Sequence, residues 1–150
     1  LCSFLYTVVI WGLLVAVIAF ALRNEGTSTA TYYMILNMFV FCVSSLALGF
    51  FISTIIKSVN GRTIAANVIA LGFSFIGGVM VPLNVLSSEV KIIGSFTPAY
   101  WFVSANEMLN EALEFGFGDI ALVWRNMGIE LLFAAAFLAA GLAAKRHMAA

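Results

Sequence analysis

Charge is scarce in this sequence. Charged side chains make up 9% of the 150 residues and hydrophobic ones 63%, against roughly a quarter charged in an ordinary soluble domain. A water-soluble fold of this size buries only about two-thirds of the surface its unfolded chain exposes, so much of that apolar surface would stay wet. Seven basic residues balance seven acidic ones, and no Lys/Arg run is interleaved with aromatics as a single-strand nucleic-acid groove requires. Histidine occurs once, as His147 behind Lys145 and Arg146, and Asp119 is the single aspartate. A Ser-His-Asp hydrolase, a His-Glu-x-x-His metal site and an aspartyl dyad are therefore all excluded. No Gly-x-x-x-x-Gly-Lys run exists, so the chain cannot itself cradle ATP phosphates. The two cysteines, Cys2 and Cys42, fall near a membrane face and near mid-bilayer respectively, too far apart for a disulfide.

What is present is long, uncharged and apolar. Residues 1–22, 32–56 and 63–83 carry no charge, and a fourth stretch, 124–144, carries Arg125 at its edge and Glu130 inside it; each reaches the roughly 20 residues a spanning helix needs. Helices are the expected form, because lipid leaves no partner for open sheet edges and the apolar/polar alternation of a barrel is missing. The expected fold class is all-α integral membrane: four transmembrane helices in one domain over 1–150. The first stretch has no basic leader and is too long for a signal-peptide core, so it reads as a genuine helix at a fragment start.

The connections differ in kind. Residues 23–31 form a polar loop containing Gly26, and 57–62 a short basic loop whose Asn60-Gly61 pair signals a turn. The long connection from Pro82 to Trp124 holds an apolar stretch at 90–103 too short to span, broken by Gly94 and Thr97-Pro98, followed by Glu107, Glu111 and Glu114 at helical spacing. It reads as a re-entrant or interfacial helical hairpin over about 90–114, on the outer side before the last helix. Gly116-Phe117-Gly118-Asp119-Ile120-Ala121 matches a dinucleotide fingerprint in form, but it lacks the strand and soluble sheet that give the motif meaning.

Orientation follows from the short loops. Lys57, Arg62, Lys145 and Arg146 share one face with no acid, whereas the other carries Arg23, Lys91 and, at its edge, Arg125 against six acids. The dense basic side is expected to be cytoplasmic, with both ends of the chain inside a plasma-membrane protein. Tyr32, Tyr33, Tyr100, Trp101 and Trp124 fit an outer aromatic belt. Trp11 lies in mid-span, where packing on a neighbouring helix is the simplest role.

Among residues inside the spans, Asn37, Asn67 and Glu130 are polar where polarity is costly, so they are candidates for interhelical bonding or a pathway. Gly72, Gly77 and Gly78 are candidates for close helix packing, as are the alanines and Gly141 of the last span. Pro82, Pro98 and Trp101 mark the outer hairpin.

The run Gly72-Phe73-Ser74-Phe75-Ile76-Gly77-Gly78-Val79-Met80-Val81-Pro82-Leu83, then Phe96-Thr97-Pro98-Ala99-Tyr100-Trp101-Phe102, resembles the permeases of type-2 ABC exporters. Leu48-Gly49-Phe50-Phe51-Ile52-Ser53 before Lys57-Ser58 is similar to the helix that precedes their short cytoplasmic loop. The resemblance implies that the chain is the last four of six helices in a dimeric, non-enzymatic permease. ATP and its magnesium ion would be bound by a separate ATP-binding subunit, and the first helix and coupling helix would lie upstream. It further implies that the third span lies near the dimer axis and that Pro98 and Trp101 line an outer exit. The substrate stays open among drugs, lipids, peptides, polysaccharides and ions. A polytopic assembly or scaffold protein without a transport cycle is the alternative.

Overall fold

A computed structural model describes residues 2–21, 28–115 and 120–149, with side chains over 7–17, 28–111 and 120–147. Among them every regular element is a helix: α1 Cys2–Ala21, α2 Thr29–Ile55, α3 Val59–Ile76, α4 Ser88–Gly94, α5 Pro98–Phe115 and α6 Ile120–Ala149. Of these α2, α3 and α6 are long and apolar enough to cross a membrane. The uncharged α1, 20 residues long, has the length of a fourth span. The chain is an all-α membrane protein.

Helix ends depart from the expected boundaries for local reasons. The Ser28 side chain accepts a hydrogen bond from the Thr31 amide at 3.3 Å, so α2 starts at Thr29, three residues before Tyr32. The expected Asn60-Gly61 turn does not form. Ser58 caps α3 by accepting from the Gly61 amide at 3.1 Å, and both residues enter the first helical turn. A cap satisfies a helical donor that a two-residue turn leaves free. Gly61 is needed there for space, since a Cβ would meet Ser58 Oγ at 2.6 Å.

The third span is likewise shorter than 63–83. It ends at Ile76, where Gly77 donates back to the Phe73 carbonyl and Gly78 takes φ +90°, a conformation that favours glycine. The Val79 and Met80 amides both return to the Ser74 carbonyl, at 3.1 and 3.0 Å. The last helix is longer than 124–144, starting at Ile120 and running through Lys145, Arg146 and His147; Arg146 and His147 fall in the last turn, where positive charge suits the helix dipole.

The 90–114 hairpin is present as α4 and α5 joined through Ser95, Phe96 and Thr97. Thr97 Oγ1 donates to the Gly94 carbonyl at 2.7 Å, and Trp101 Nε1 donates to the Ser95 carbonyl at 2.8 Å. Pro98 then opens α5 at the position where its missing N–H costs nothing.

α2 is the central helix and touches α1, α3, α5 and α6. α6 runs parallel to it: Tyr33 pairs with Trp124, Ser44 with Glu130 and Phe51 with Phe137. α5 wedges between them in the opposite direction. Its start lies beside Phe41 and Gly49, halfway along α2, and its later turns pack beside Ala30. The hairpin therefore reaches about half the depth of α2. Trp11 of α1 packs edge-on against Phe39 of α2 at 5.2 Å, and Cys42 is a free thiol. The 116–119 part of the glycine fingerprint, most of the 23–31 loop and the side chains of Cys2 and Glu114 lie outside the described residues.

Candidate functional site

Three helices bring polar groups to one seam. On α2, Ala30, Asn37 and Ser44 recur at seven-residue spacing and are buried. On α6, Val123, Asn126, Met127, Glu130 and Ala134 share one helical face and are buried. Between them α5 contributes Ser104, Ala105, Asn106 and Leu109. Ala30, Ala105, Leu109, Val123 and Met127 form the apolar part of the seam. Asn37, Ser44, Asn126 and Glu130, each 0% exposed, form the polar part.

The hydrogen bonds cross between helices. Asn37 Nδ2 donates to the Phe102 carbonyl at 3.0 Å and to Asn106 Oδ1 at 3.1 Å, tying α2 to α5. Asn126 Nδ2 donates to Ser104 Oγ at 3.2 Å and reaches Met108 Sδ at 3.9 Å, tying α6 to α5. Ser44 Oγ donates to the Glu130 backbone carbonyl at 2.7 Å, tying α2 to α6. The Glu130 carboxyl is different, because neither of its oxygens has a hydrogen-bond partner. Asn37 Oδ1 is also buried and unpartnered.

The sequence candidates thus divide. Asn37 and Glu130 are both buried in the seam, whereas Asn67 is exposed on α3 and joins neither. Glu130 is level with Ser44, the sixteenth of the 27 residues of α2. Gly77 and Gly78 do sit at close contacts. A Cβ on Gly77 would meet Ala99 Cβ at 2.7 Å, and one on Gly78 would meet Leu83 Cγ at 2.7 Å. Gly72 is exposed, with open space where a Cβ would stand, so it packs no helix within this chain. Pro98 is buried, Trp101 half-buried and Pro82 exposed beyond the end of α3. Ser44, Ser104, Asn106 and Asn126 were not among the sequence candidates. The signal for two of them was the spacing: Ser44 lies seven residues after Asn37, and Asn126 four before Glu130.

A second feature lies between α3 and the rest. A cavity of about 360 Å³ is lined by Phe41, Ser45 and Gly49 of α2, Phe73 and Ser74 of α3, and Phe102 of α5, among others. α3 touches the hairpin at its far end, where Gly94 lies against the Ile76 backbone and Gly77 against Ala99. No residue of α3 is buried.

The family described as ABC-2 family transporter protein matches residues 1–143. The chain belongs to that family. No curated protein and no solved structure matches it. As an ABC-2 family member the chain is a membrane permease component of an ABC transporter. In the ABC-2 chain the seam is accordingly a feature of the membrane-embedded part, and α3 is a span with no buried residue.

Proposed function

We propose that this chain forms the translocation pathway of an ATP-driven exporter, working as a homo- or heterodimer of permeases with separate ATP-binding subunits. Family membership over 1–143 is the observation that carries this reading. The surface of α3 supports it further. Ile64, Val68, Leu71 and Phe75 recur along one side and are exposed, flanked by Asn67 and Gly72. That face, with a glycine and an amide beside an apolar stripe, has the composition of a helix contact between membrane proteins. A second permease copy would cover it and place Asn67 and Gly72 at the joint.

In this arrangement ATP and its magnesium ion act on the partner, whose closure switches the pathway between the two faces of the plasma membrane. The chain lies with Ser58 and the Lys145–Arg146 end inside and the hairpin outside, from the distribution of Lys and Arg. Single cysteines at Ser58 and Ser88 label from opposite sides with an impermeant reagent; labelling from one side removes the topology. Co-purification of the full-length protein recovers an ATP-binding subunit, and Gly72→Cys cross-links between permeases. Export that persists without any nucleotide-binding partner overturns the exporter reading.

A further inference from the structure

The seam fully encloses the Glu130 carboxyl and gives neither of its oxygens a hydrogen-bond partner. Buried acceptors in proteins nearly always find donors. Here the other fully buried polar side chains have already committed theirs: Asn37 to α5, Asn126 to α5, and Ser44 to the Glu130 backbone carbonyl. The cavity between α2, α3 and α5 and the groove of about 350 Å³ beside Trp124 and Leu131 are both lined without Glu130. A hydrated cation has no room opening onto the carboxyl from either.

We propose that Glu130 is a proton-binding site, and that the proton it takes up is what allows α2, α5 and α6 to close over it. The carboxylate takes the proton from water, giving a neutral acid whose O–H is a donor. Loss of the proton leaves a bare charge halfway along α2, where the surroundings offer it nothing. Opening of the α5 side to water relieves it, so docking of the hairpin is tied to proton occupancy.

Ionisable groups on the packed elements do not supply a substitute partner. On α6, Arg125 is exposed and reaches Asn126 Oδ1 at 3.4 Å. On α2, Cys42 lines the contact with Trp11 of α1, and Tyr32 and Tyr33 stand at the outer end. On α5, Tyr100 lies against Gly94, while Glu107 and Glu111 lie toward the outer end of the helix.

The site rests on family membership only for its setting in a membrane, and needs neither the ATP-binding partner nor a substrate. Its test can therefore fail while the exporter reading stands. Infrared spectra of the full-length permease in lipid at neutral pH show the C=O stretch of a protonated carboxylic acid, and this band is lost in Glu130→Gln. Glu130→Asp, which keeps an acid on the same helix face, retains such a band. In the wild type, raising the pH lowers the hydrogen-exchange protection of 102–109 by about tenfold once intrinsic rates are removed, and Glu130→Gln abolishes that dependence. Three results overturn the proposal: no acid band in the wild type, a band that survives in Glu130→Gln, or equal loss of protection in both proteins.

Discussion

The α2–α5–α6 seam and α3 are made of the same kind of sequence and behave in opposite ways. Both are dominated by Ala, Val, Leu, Ile and Phe, with isolated Asn and Ser. In the seam those polar residues are enclosed and bonded across helices. On α3 Asn67 is exposed and nothing is buried. Apolarity alone therefore places a helix in the membrane without saying which neighbour it has. What separates the two regions is the spacing of polar residues: one buried stripe on each of α2 and α6, against an exposed stripe on α3 that waits for lipid or another chain.

The sharpest way to break this contrast is to empty the seam. Leu109, 1% exposed, truncated to Ala should destabilise the permease by about 2 kcal/mol. That is the low end of the range for a buried leucine, because lipid removes the hydrophobic transfer term and leaves only lost packing. Thermal unfolding in detergent measures it, and the same truncation at Leu71 on α3 is the control. Equal losses at the two sites would erase the distinction.

Filling the seam tests it from the other side. Ala105 is 0% exposed where α5 meets α2 and α6, and Ala105→Leu should cost about 1–3 kcal/mol by overpacking. Ala70→Leu, beside the cavity, should be nearly neutral. A smaller effect is expected for Asn37→Leu, which removes two interhelical bonds worth about 0.6 kcal/mol each in membrane proteins. Its readout is faster hydrogen exchange in the 98–109 part of α5, with α3 unchanged.

The smallest expected effect is the most informative about α3. Gly72→Ala adds a Cβ into open space, so thermal stability of the separated chain should stay within about 0.5 kcal/mol. If α3 forms the joint with a second permease, the same change weakens dimerisation, measured by cross-linking yield. Unchanged dimerisation would remove α3 from the joint.

Much of this organisation was legible in the sequence because lipid leaves few alternatives. Long apolar stretches near 20 residues marked the spans, and Gly94 with Thr97-Pro98 marked the hairpin. The first and last residues of α3 were not legible, for two local reasons. Ser58 captures the Gly61 amide, so an Asn-Gly pair that reads as a turn becomes the first helical turn. Gly77 and Gly78 stop the helix before Pro82, although the apolar run continues past them. Asn37 and Glu130 stood out for their polarity. Asn106, the partner of Asn37, and Ser104, the partner of Asn126, did not, because α5 is amphipathic and its polar residues read as a solvated face. Only the packing of α5 between two spans reverses that face.

The short join between α2 and α3 has a mechanical meaning. Only Ile56, Lys57 and Ser58 separate the helices, with Ile56 still donating into α2 and Ser58 already capping α3. Such a link has little slack, so a push delivered there cannot be absorbed by loop bending. A push there would instead move α3 as a rod against the hairpin, which it meets where Gly77 lies against Ala99 and Gly94 against the Ile76 backbone. A flexible insertion after Lys57 would let the loop absorb such a push while leaving both helices folded.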